Sequence, residues 1–131
     1  MMRKFLQNKL WRDKCPGKME SSGSIVHLKN LSDDEYDQQL RIKLLEEANE
    51  VNTALVLQDL INELADVLEV VDALCLLHGI SKNDVEIFKQ AKRNNLGGFE
   101  GRKFVVVAEH PRGGFGESYC LEQPEKYPEI E

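Results

Sequence analysis

From Leu40 onward the apolar positions fall at steps of three and four residues: Leu40, Leu44, Ala48, Val51 and Leu55. That 3.6-residue period predicts an amphipathic helix with one stripe turned to a core. Its start is marked by Ser32-Asp33-Asp34-Glu35, the spacing of a capping box, in which serine oxygen and glutamate carboxylate each satisfy an orphan amide. The first long helix is therefore expected over 33–53. A second stretch, from Asp59 to His78, carries Leu60, Leu64, Val67, Leu68, Val70, Val71, Leu74, Leu76 and Leu77 around most of the helical circumference. Such a helix needs cover on more than one side, and a chain this short has few elements to give it. A second copy is the expected source, which makes the protein a homodimer or homotetramer with a shared bundle. Gly79 is the expected stop, and Ser81 with Asp84 starts a third helix reaching about Leu96.

The flanks read differently. Residues 1–31, with Cys15-Pro16-Gly17 and Ser21-Ser22-Gly23-Ser24, suggest an extended arm and loop. After Gly97-Gly98-Phe99-Glu100-Gly101-Arg102, the apolar run Phe104–Ala108 has the make-up of a short strand. Residues 109–131 hold three Gly, three Pro and six acidic residues, the composition of a flexible tail. The expected organisation is one domain over 1–108 (arm and loop 1–31, helical core 32–96, closing segment 97–108) and a tail over 109–131. The fold class is all-α, an antiparallel helical bundle.

Composition narrows the function. The 131 residues are one domain's worth, and 41% hydrophobic with 31% charged residues is a globular balance. Glu63, Asp66, Glu69 and Asp72 interrupt the longest apolar stretch, so no membrane span is expected. Arg3, Lys4, Lys9 and Arg12 are not followed by the apolar run and cleavage site of a signal peptide, which makes a cytoplasmic location the default. Cys15, Cys75 and Cys120 are odd in number and lack CxxC spacing, against a disulfide scaffold or zinc knuckle. The net charge of −6 is segregated: +5 over residues 1–18, −10 over 32–72, +3 over 82–103 and −4 over 104–131. An acidic protein is a poor general nucleic-acid binder. An acidic centre between basic flanks suits a metal-bound polyphosphate.

Candidate chemistry lies in Glu46-Glu47-Ala48-Asn49-Glu50 and Glu63-Leu64-Ala65-Asp66. At 100° per residue Glu47 lies at the edge of the first apolar stripe with Glu50 one turn on, while Glu46 lies farther toward solvent. Glu63 and Asp66 stand at i and i+3 on a line continued by Val70 and Leu77, so both face inward. Unpaired carboxylates turned inward are costly to desolvate and repel one another. A hard divalent cation with oxygen ligands relieves both, Mg²⁺ first and Mn²⁺ second, and no neighbouring His or Cys argues for zinc. On one straight helix Glu50 and Asp66 would stand about 24 Å apart. Either the chain turns near 53–58 or an unbroken helix meets a second copy antiparallel.

EExxE followed by ExxD resembles the signature of the MazG-like all-α nucleoside triphosphate pyrophosphohydrolases. Lys9-Leu10-Trp11-Arg12-Asp13-Lys14-Cys15-Pro16 is similar to the KLVRDKIP opening of the phosphoribosyl-ATP pyrophosphohydrolase-like branch, and Gly97-Gly98-Phe99-Glu100 with Arg102 to its closing GGFExR. The resemblance spans about residues 8–107. It implies Mg²⁺ held by Glu47, Glu50, Glu63 and Asp66, with Glu46 assisting or orienting the nucleophile, and cleavage between the α and β phosphates to nucleoside monophosphate and pyrophosphate. Lys9, Arg12 and Lys14 in the opening motif, and Lys92 and Arg93 at the end of the third helix, are the candidates for phosphate. Leu68-Glu69 and Val70-Val71 stand where the phosphoribosyl-ATP enzyme carries Tyr-His, which points from histidine biosynthesis toward house-cleaning of the nucleotide pool. The competing readings are a non-catalytic oligomeric interaction module that retains metal or nucleotide binding and a di-iron bundle, the latter disfavoured by the absence of Glu-x-x-His. His27, His78 and His110 read as isolated, His78 beside a helix end whose dipole favours a cation.

Overall fold

Five helices make up the regular structure of the computed structural model, which describes all residues from Met1 to Glu131: α1 (Cys15–Ser21), α2 (Asp33–Thr53), α3 (Leu57–Leu77), α4 (Lys82–Leu96) and α5 (Phe115–Leu121). The chain divides into two units, Met1–Lys92 and Arg93–Glu131.

In the first unit the capping box forms as expected. Ser32 Oγ accepts from the Glu35 amide at 3.3 Å, and Glu35 Oε1 accepts from the Ser32 amide at 3.2 Å. A cap of this kind contributes about 1 kcal/mol. The chain does turn within itself: Ala54 and Val56 take extended conformations, and only residues 54–56 separate α2 from α3. The two 21-residue helices therefore lie antiparallel, and they form the extensive helix-to-helix packing of the chain. Leu40 and Glu47 from α2 and Val70 and Cys75 from α3 are its buried positions.

α3 ends in a Schellman turn. Gly79 has φ +66°, its amide donates to the Leu76 carbonyl, and the Ile80 amide donates to the Cys75 carbonyl at 2.8 Å. Glycine is suited to that left-handed position because it has no Cβ to clash. His78 does more than face a helix dipole: its Nε2 lies 2.6 Å from Asp37 Oδ1 and so joins the end of α3 to the start of α2. The second capping box also forms, with the Asp84 amide donating to Ser81 Oγ at 3.0 Å and the Ser81 amide to Asp84 Oδ2 at 3.2 Å.

The flanks depart from expectation in three places. The arm contains a short helix, α1, with Pro16 in its first turn, where the missing N–H costs nothing. The run from Phe104 to Ala108 is not a strand. A strand needs a neighbour for its amides and carbonyls, and none lies alongside; Phe104, Val105, Val106 and Val107 are exposed. The tail contains α5, where Phe115 and Tyr119 stack at i and i+4 with centroids 5.9 Å apart and Tyr127 stands 5.6 Å from Tyr119. Its scarce apolar residues are concentrated in one aromatic cluster that composition alone averages away.

Candidate metal centre

The period of α2 places Leu40, Leu44, Glu47 and Val51 on one inward line, and that of α3 places Glu63, Asp66 and Val70 on the line opposite. Glu47, at 9% exposure, is the only buried charged residue. Glu47, Glu63 and Asp66 each present a carboxylate oxygen within 4.8 Å of the others. These three come from two helices and are assembled by the turn at 54–56. The Glu63 carboxyl is held above its ordinary range by partial loss of solvent first, then by the negative charges of Asp66, Glu50, Glu47 and Asp59. A group pressed in this way toward its protonated form gains from any cation that enters.

Glu50 stands outside the triad. It is exposed and lines a shallow recess of about 210 Å³ with Thr53, Ala54, Leu55, Asp59 and Glu63, close enough for its charge to act on Glu63. Glu46 is also outside, its two oxygens 3.3 Å from Lys9 Nζ and 3.4 Å from Lys43 Nζ.

Among the predicted cations, Arg12 reaches the triad, while Lys9 reaches Glu46 beside it. Arg12 Nη2 donates to Asp66 Oδ1 at 2.6 Å. Arg12 thus turns to α3 rather than to its neighbour Asp13 in the arm. Lys14 is exposed and caps α1 through its backbone. Lys92 is exposed, and Arg93 is paired with Glu100 at 2.6 Å within the second unit. Lys43, which the sequence reading passed over, is part-buried on α2 with Nζ 3.3 Å from Glu47 and 3.4 Å from Glu46. Its spacing of three and four residues before that pair was the available signal. Arg12, Lys43, Glu47 and Asp66 form the polar side of a pocket of about 270 Å³, with Leu10, Trp11, Cys15 and Met19 as its apolar side.

The donor set is entirely carboxylate, with no histidine or thiol among the three. Such hard oxygen donors suit Mg²⁺ or Mn²⁺. Compared with known families, residues 24–95 match the profile of phosphoribosyl-ATP pyrophosphohydrolase. The chain belongs to the phosphoribosyl-ATP pyrophosphohydrolase family. Membership in this MazG-like branch rests on α2, α3 and nearly all of α4, while the arm carrying Lys9, Arg12 and Lys14 precedes the matched residues. No curated protein and no solved structure matches this family member. Family and triad together support a hydrolase with a metal-binding acidic centre.

Proposed function

We propose that the protein is a Mg²⁺-dependent nucleoside triphosphate pyrophosphohydrolase. It splits the bond between the α and β phosphates and releases nucleoside monophosphate and pyrophosphate, in house-cleaning of the nucleotide pool. The observation that carries this reading is the carboxylate triad of Glu47, Glu63 and Asp66 on the matched helices. These three, with Glu50 as a fourth ligand, would hold Mg²⁺, with Mn²⁺ as the second choice. The bound cation supplies neutralisation of the polyphosphate and a water of lowered pKa. Glu46 and Glu47 are the catalytic pair, with Glu46 orienting the attacking water while its oxygens rest on Lys9 and Lys43. Lys9 and Arg12 meet the phosphates from the arm; Lys14, Lys92 and Arg93 keep that role only on the family resemblance.

The working unit in this reading is a homo-oligomer. Leu57, Ile61, Leu64 and Leu68 recur at steps of four, three and four on α3 and are all exposed. Their stripe lies on the face opposite Glu63 and Asp66, where a second copy gives the missing cover.

The test is pyrophosphate release from a panel of unmodified, deoxy and modified nucleoside triphosphates, with and without Mg²⁺. Metal-dependent turnover is expected, with Glu63→Gln reducing it by about 100-fold or more, since even outer-shell partners of a metal site are worth 10- to 100-fold. Folded protein that turns over nothing on the panel is the outcome of a non-catalytic interaction module.

A further inference from the structure

The cations around the triad differ in how they are held. Lys43 projects from α2 itself, its side chain only 19% exposed, and is fixed wherever α2 and α3 pack. Arg12 is 57% exposed and stands on the stretch of the arm before α1, which has no regular structure, joined to the hairpin through Arg12–Asp66 at 2.6 Å and Lys9–Glu46 at 3.3 Å. Yet the carboxylate that Arg12 holds is one of the three whose oxygens converge.

Resting on the reading of that triad as a metal centre, we propose that Arg12 is an exchangeable counter-ion. It neutralises Asp66 when no divalent cation is bound, yields Asp66 when one binds, and then binds the polyphosphate of the substrate. A doubly charged ion seated among the triad attracts the Asp66 carboxylate more strongly than a guanidinium does, and it repels that guanidinium. The exposed pair it must displace is weak, with an equilibrium effect of about fivefold at most. A released guanidinium at the rim of the pocket beside Lys43 has the planar donor fork that matches phosphate oxygens. The exchange makes metal and polyphosphate assist each other, and linkage makes that assistance reciprocal. Cation is then bound productively in the company of its substrate.

The test is Mg²⁺ titration of the full chain without nucleotide, by calorimetry, comparing wild type, Arg12→Gln and Arg12→Lys. Arg12→Gln is expected to bind Mg²⁺ about two- to fivefold more tightly, and Arg12→Lys, which keeps the charge, to stay near wild type. Trp11 is the only tryptophan of the chain and lines the same pocket. Its emission is expected to shift with Mg²⁺ in wild type and to start near the shifted position in Arg12→Gln. With Mg²⁺ present, inorganic pyrophosphate is expected to bind Arg12→Gln more weakly. Equal Mg²⁺ affinities with Trp11 emission indifferent to metal overturn the exchange and leave the metal centre standing. No Mg²⁺ binding by any of the three proteins overturns the metal reading, and the exchange falls with it.

Discussion

Glu47 and Lys43 show how a charged group is kept inside so small an interface. The Glu47 side chain is 11% exposed and that of Lys43 19%, with 3.3 Å between their charges. Removing one member of such a pair leaves the other without compensation, which costs more than the pair itself contributes. Lys43→Met should therefore lower stability by about 1–3 kcal/mol in urea unfolding without metal. Mg²⁺ should recover part of that loss, because a second cation then faces Glu47. The inward position of Glu47, Glu63 and Asp66 was legible because helical phase depends on sequence spacing alone. Which cation would answer them was not. Lys43 lies within reach along its own helix, but Arg12 reaches Asp66 across 54 residues of chain, and no local period encodes such a pairing.

At the scale of elements, the α2–α3 hairpin is joined at one end by residues 54–56 and at the other by Asp37 and His78. The His78 hydrogen bond, and after it that of Arg41, holds the Asp37 carboxyl below its ordinary value of 3.8. The folded chain thus releases this proton more readily than the unfolded one. The stabilisation is complete above the unfolded value and is lost as pH falls through the lower folded value. Asp37→Asn should consequently flatten the acid limb of stability against pH, read from urea midpoints between about pH 5 and pH 2. A wild-type slope retained by the variant would assign the acid limb to other carboxylates. The three long helices were legible because capping boxes mark the starts of α2 and α4, and α3, which has no side-chain cap, is marked instead by its dense run of apolar residues. The short α1 and α5 were not, since seven residues carry two turns and no usable period. The expected strand at 104–108 failed for the opposite reason: its residues have the right character, but a strand is defined by a neighbour.

For the whole molecule, the meagre burial is the leading fact. Leu40, Val70 and Cys75 are the only buried hydrophobic residues among 131, while Leu57, Ile61, Leu64 and Leu68 lie open along α3. If the proposed homo-oligomer seals that stripe, Leu68→Glu should reduce the sedimenting mass to that of one chain. It should also lower thermal stability, since a charge is brought to a surface built for apolar cover. An unchanged mass would place the subunit contact on another face. The all-α class was readable from pattern alone, whereas the exposure of Leu57, Ile61, Leu64 and Leu68 was seen only once α3 had packed on α2.

The turn at residues 54–56 has a consequence for how such a molecule can vary. Were Ala54, Leu55 and Val56 drawn into the helical state, α2 and α3 would fuse into one rod about 65 Å long. Glu47 would then stand far from Glu63 and Asp66 of its own chain. Two such rods laid antiparallel could restore each triad by exchange, with α2 of one chain against α3 of the other. Domain swapping of this kind preserves the donor set while changing which chain supplies it. Three residues of loop thus decide whether each centre belongs to a single polypeptide or is held in common by two.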